Sequence, residues 1–172
     1  METPAPEEDA SLLRALRGSS SGAPTYQLTR FVSLRAIGFI YVVAFSILCN
    51  QMLPLFGSHG LEPAPAFIAG LHQYSSFWKV PGLFWFDPSD RALTIGADVG
   101  LALSILVMLG IENAFVMFAL WLLYLSFVHV GQTFYGYGWE TLLLEAGFLS
   151  IFLCPCTHVL PLHDPTRAPK LV

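Results

Sequence analysis

Charge is what this sequence has least of. Asp, Glu, Lys and Arg make up 12% of its 172 residues, roughly half the ~25% of a soluble domain, so most of its surface cannot face water. A disordered chain needs high charge and low hydrophobicity and is excluded; a soluble globular domain is argued against. Lys and Arg number only 8 against a net charge of −4, which leaves no basic footprint for nucleic acid. Cysteine is scarce too. Cys49, Cys154 and Cys156 lack the C-x-x-C spacing of a redox or zinc motif and are expected to be ordinary buried thiols. Gly57-Ser58-His59-Gly60 is not a phosphate loop, because no Lys-Ser/Thr follows the glycines. Its Ser58–His59 pair has no orienting acid or nucleophile-elbow context. No ligand spacing calls for a metal or another cofactor, and no feature argues for an enzyme. The acidic start and the distance to the first apolar run exclude a secretory signal peptide.

What is there is apolar: 55% hydrophobic residues and a mean hydropathy of +0.61. Residues 1–29 are polar and small and read as a disordered or surface-lying tail. Residues 30–157 hold runs of membrane-span length at about 31–53, 92–110 and 114–130, and a shorter apolar run at about 139–153 that is read as a fourth span. Residues 158–172, with Pro161, Pro165 and Pro169, read as an irregular tail. Between the first two runs, Pro54, Pro63, Pro65, Pro81 and Pro88 bar a spanning helix. Phe67–Tyr74 reads as a short helix there, and the Trp and Phe residues favour the membrane boundary. The expectation is an all-α integral membrane protein, a bundle of about four transmembrane helices with an aromatic, proline-rich extracytoplasmic loop, whose immediate partner is the lipid bilayer. Six of the eight basic residues fall on the side of the termini, so the positive-inside rule places both termini in the cytoplasm.

Ionisable and polar residues inside apolar runs cost about 2.5–3.5 kcal/mol at a helix centre and face a partner or water. Arg35, Asp98, His129, Gln132, Glu140 and Glu145 are therefore the candidate structural or functional residues. A proton or ion relay is one reading; a structural polar set that fixes helix register is the favoured one. Glu140 and Glu145 are about 140° apart on a helix and do not share a face. Asp98 and Glu145 fall at similar depth, with Arg35 about 15 Å away by helix rise. Arg35 is therefore expected not to pair with either acid. Each acid is expected to face the bundle, not lipid, and to accept hydrogen bonds from neighbours such as His129, Gln132, Tyr135 or serines, or from water. Gly96, Gly100 and Ser104 form a small-residue stripe suited to close helix packing, within the chain or against another subunit. The turn Tyr137–Glu140 is expected to pack on the 54–91 loop.

Two segments carry a family resemblance. One is Thr29-Arg30-Phe31 through Tyr41-Val42-Val43-Ala44-Phe45, followed by Gly57-x-x-Gly60-Leu61-x-Pro63-Ala64. The other runs from Leu122 to Gln132, through Phe134-Tyr135, to Gly138-Trp139-Glu140-Thr141-Leu142-Leu143-Leu144-Glu145-Ala146-Gly147-Phe148 and on to Leu153. Over residues 25–157 the chain resembles the N-terminal membrane region of the lipase maturation factor family. The resemblance implies a polytopic membrane protein with a cytosolic N-terminus that serves the folding or assembly of secreted lipases. It implies the endoplasmic reticulum for a eukaryotic member and the inner (plasma) membrane for a bacterial one. Family members are longer, with more spans and a C-terminal soluble domain to which client contact is ascribed, so no client-binding residue carries over. A fragment, a split gene product and a stand-alone module all fit. Two other classes stay open: a small accessory subunit of a larger membrane complex, and a small four-helix enzyme or transporter, which would need a ligand pocket.

Overall fold

The computed structural model describes residues 25–75 and 77–154. The expected tails 1–29 and 158–172, and Cys156, lie outside the described residues, except that residues 25–29 are described and are helical, not an irregular tail. Those residues form five α-helices: α1 Thr25–Phe56, α2 Ala64–Tyr74, α3 Asp90–Leu109, α4 Ala114–Val130 and α5 Gly138–Leu153. Two 3₁₀ turns, Leu83–Trp85 and Gln132–Tyr135, complete the chain. Among the described residues there are no strands.

Local chemistry sets the boundaries. The Ser89 side chain caps α3 by accepting from the Ala92 amide at 3.2 Å, and Asn113 caps α4 by accepting from Phe115 at 2.8 Å. Such caps satisfy first-turn donors that have no helical partner. Gly110 ends α3 at φ 108°, the left-handed conformation glycine adopts without a Cβ clash. These residues make 110–113 a tight hairpin. α2 starts at Ala64, three residues earlier than its apolar pattern indicates, because Pro65 falls in the first turn, where no backbone N–H is needed. α1 runs past the expected end and includes Pro54. Its last carbonyls are satisfied from outside the helix: Leu61 N–H donates to Pro54 O at 3.2 Å and Glu62 N–H to Leu55 O at 2.9 Å.

α1 packs on α3 and α5, and α4 packs on the same two, closing a four-helix ring. The buried line of α1 is Leu34, Tyr41, Phe45, Leu48, Met52 and Phe56. Its other sides expose Phe39, Ile40, Val43 and Ile47, so the helix is apolar all round, as in a membrane span. Two helices, Thr29–Phe56 and Asp90–Leu109, are long and apolar enough to cross a bilayer, and Ala114–Val130 is a shorter apolar helix.

The interior is aromatic. Tyr41 and Phe45 of α1 meet Tyr124 of α4 edge to face at 5.5 and 5.7 Å, and Phe127 contacts Phe45 at 6.1 Å and Phe84 at 4.7 Å. Glycine makes these contacts possible. A Cβ on Gly100 would overlap the Phe45 ring, and one on Gly147 would overlap the Tyr41 hydroxyl. The stripe Gly96, Gly100 and Ser104 is buried inside this chain's own bundle. Of the two uses open to it, the structure shows internal packing.

Candidate functional site: the polar groups of an apolar bundle

The hairpin end carries a charge cluster. Arg30 donates to Glu112 Oε2 at 3.0 Å, and Arg35 Nη1 lies 4.0 Å from Glu112 Oε1. Arg35 Nη2 also donates to Leu109 O at 3.3 Å, and its guanidinium stacks 3.6 Å from the Phe31 ring centre. Glu112 is 8% exposed. Arg35 therefore pairs with neither Asp98 nor Glu145, as the depth argument requires, but it does have a carboxylate. Antiparallel packing of α1 and α3 brings the 110–113 hairpin to the start of α1, and Glu112 is not among the residues singled out from the sequence. The acid next to a short inter-helix turn, level with two arginines, was the available signal.

At the loop end, segment 57–89 is tied to the bundle. Ser58 donates from its amide and its hydroxyl to the two oxygens of Asp90, both at 2.6 Å. Leu83 N–H donates to Ser126 Oγ at 2.8 Å, which seats Phe84 against Phe127 inside the bundle. His129 Nδ1 lies 2.8 Å from Pro81 O, so its hydrogen bond goes to the loop and not to another helix. Gln132 Nε2 donates to Glu62 O at 3.3 Å, and the Thr133 amide donates to Glu62 Oε2 at 3.2 Å. The loop is thus clamped on α4 and the 132–135 turn, beside which Tyr137 and Trp139 stay exposed. At this end Gln132 and Thr133 hold the loop, and the Tyr135 ring meets Phe56 at the end of α1 at 5.9 Å. Residues beyond the clamp project outward, with Trp78 and Phe86 87% and 78% exposed.

Glu140 turns inward and is 3% exposed. Its Oε2 and the Tyr124 hydroxyl are buried without a hydrogen-bond partner among the described residues. Burial first, and then the Glu140 carboxylate, push the Tyr135 phenol up to about 12.

Asp98 and Glu145 correct the expectation. Both are exposed, Glu145 on the outer face of α5 and Asp98 at the edge of the α1–α3 seam. α3 buries Gly96 and Gly100 and α5 buries Leu143 and Gly147; each acid is two residues from both members of its pair, about 200° around the helix. Asp98 accepts a weak bond from Cys49 Sγ at 3.7 Å. The hydrogen bonds expected from His129 and Gln132 go instead to Pro81 O and Glu62 O.

Helices that are apolar both inside and outside the bundle define an all-helical membrane domain. The family description "Lipase maturation factor transmembrane domain" matches residues 28–172. Human lipase maturation factor 1 is 40% identical across 95% of this chain and 31% of its own length; the mouse protein is 42% identical across 83% and 27%. Rat lipase maturation factor 2 is 31% identical across 71% of this chain and 19% of its own length. The chain belongs to the lipase maturation factor family. It spans about a third, or less, of the length of these curated relatives. No solved structure matches it.

Proposed function

We propose that this chain is the membrane-embedded part of a maturation factor, holding secreted lipases or related clients during folding without covalent catalysis. The observation that carries this reading is the family match over residues 28–172. Four helices, α1, α3, α4 and α5, cross the bilayer. Arg30 and Arg35 at the hairpin end lie on the cytoplasmic side with both termini, and the loop 57–89 faces the lumen of the endoplasmic reticulum, or the periplasm in a bacterium. α5 is the shortest at 16 residues, about 24 Å by helix rise, a mismatch that local thinning of the bilayer accommodates. The exposed loop residues Leu61, Tyr74, Trp78 and Phe86 meet headgroups or client surface. The test is secreted lipase specific activity in cells deleted for the corresponding gene and complemented with this chain or with its full-length form. Loss on deletion and rescue by the full-length form are expected; unchanged specific activity of every secreted lipase would refute the role.

The second reading is an accessory subunit of a larger membrane complex. Exposure of Asp98 at the edge of the α1–α3 seam and of Glu145 on the outer face of α5 favours it. Purification in mild detergent decides: a monomer without stoichiometric partners counts against it.

A further inference from the structure

Glu145 is a charged group that the bundle does not use. Among the described residues its carboxylate makes no hydrogen bond or ion pair, and it lies on the outer face of α5. It stands seven residues after Gly138 and eight before Leu153, about 10 and 12 Å from the two helix ends by rise, which is the middle of the span. An ionised side chain facing lipid at that depth costs about 2.5–3.5 kcal/mol on insertion scales.

Beside it is a shallow, open depression between α4 and α5, lined by Trp121, Leu144, Glu145 and Phe148. Trp121 Nε1–H donates to Leu144 O at 3.0 Å, which fixes the indole and occupies its only donor. The Trp121 and Phe148 rings are 5.4 Å apart. The depression therefore offers one carboxyl group and two aromatic rings, with the indole donor already engaged. That chemistry selects a cation, held by charge and by the ring faces. Aqueous ions and headgroup amines do not reach the middle of a bilayer. A side chain on another transmembrane helix does. A second copy of this chain cannot supply it, since its basic residues are Arg14, Arg17, Arg30, Arg35, Lys79, Arg91, Arg167 and Lys170, none at mid-depth of any of the four helices.

We propose that the Trp121–Glu145–Phe148 depression docks a further transmembrane helix through a Lys or Arg side chain at that helix's middle. The proposal rests on α5 being a membrane span.

The full chain reconstituted in phosphatidylcholine vesicles is titrated with fluorescent polyleucine transmembrane peptides that differ only in a central Arg, Leu or Glu, and association is read by energy transfer. The Arg peptide is expected to associate about tenfold more tightly than the Leu peptide, the scale of an interhelical polar contact in lipid. That preference disappears in Glu145→Leu, falls in Glu145→Gln, which keeps an acceptor without the charge, and survives in Asp98→Leu. Circular dichroism and gel filtration establish that each variant folds, and Trp121→Phe, which keeps a ring, weakens the preference less than Glu145→Leu does. Equal association of the Arg and Leu peptides, survival of the preference in Glu145→Leu, or its loss in Asp98→Leu overturns the proposal. So does self-association that depends on Glu145, which would make a second copy the occupant. A Glu145→Cys thiol, in a background without the native cysteines, separates the two failures. Labelling by a membrane-impermeant maleimide would overturn the span itself, whereas a protected thiol with no peptide preference would overturn only the docking.

Discussion

Gly147→Ala is the substitution whose cost can be worked most directly from the packing of α1 on α5. The new Cβ would overlap the Tyr41 hydroxyl and lie 3.0 Å from its Cζ. Tyr41 is fully buried, and its hydroxyl donates to Leu143 O at 3.4 Å. Tyr124 stands edge-on to the same ring at 5.5 Å, so the ring has no room to retreat. Overpacking of this kind costs about 1–3 kcal/mol, or about 2–12 °C in Tm for a chain of this size. Tyr41→Phe alone removes a long hydrogen bond and should cost about 0.5 kcal/mol. In the double variant the overlapping atom is gone and only the tight Cζ contact remains. Much of the Gly147→Ala loss should then return, with a coupling energy of about 1 kcal/mol, beyond the 0.3–0.5 kcal/mol within which independent sites add. Thermal unfolding of the four proteins in detergent, followed by tryptophan fluorescence, measures the cycle. Wild-type stability of Gly147→Ala, or simple additivity in the double variant, would refute the packing.

The same assay checks three further expectations. Gly100→Ala should lose more stability than Gly147→Ala, because its Cβ meets ring carbons of Phe45 and not a removable hydroxyl, whereas Gly138→Ala, with nothing within 4 Å, should be neutral. Glu112→Leu leaves Arg30 and Arg35 without their shared carboxylate and should cost about 1–2 kcal/mol, discounted for the part-exposed arginines; Glu112→Gln, which keeps an acceptor, should cost less. Tyr135 has a folded pKa near 12 against 10.0 unfolded, so between those values the folded state binds the proton that the unfolded state releases. Stability should be full below pH 10 and fall as pH rises toward 12, and Tyr135→Phe should reduce the fall.

Helix limits were legible wherever a breaker or cap marks them. α4 begins and ends at Ala114 and Val130, as its sequence indicates, between the Asn113 cap and Gly131. α1 was read too short at both ends, since nothing between Pro24 and Phe31 breaks a helix and the loop's own amides satisfy the turn around Pro54. Facing was not legible. Counting residues put Asp98 and Glu145 at one level, but which side of each helix is buried depends on where the partner helices come close. Gly96, Gly100 and Gly147 mark those approaches, and taking the glycines as the inner face would have turned both acids outward. The inward Glu140 follows from its 140° offset from Glu145. The Arg30–Glu112–Arg35 cluster needed the antiparallel pairing of α1 and α3, which sets which turn meets which helix start. His129 and Gln132 bond to the loop because the loop folds back onto α4, and no spacing along the chain encodes that return.

The central claim is a four-span membrane domain with the 57–89 loop on the far side from the 110–113 hairpin. Single cysteines at Lys79, in the exposed loop, and at Ile111, in the hairpin, in a background free of native cysteines, test it in sealed right-side-out and inverted membrane vesicles. An impermeant maleimide should label the two positions from opposite sides, with the Ile111 site on the cytoplasmic face. Labelling of both from the same side would contradict the account.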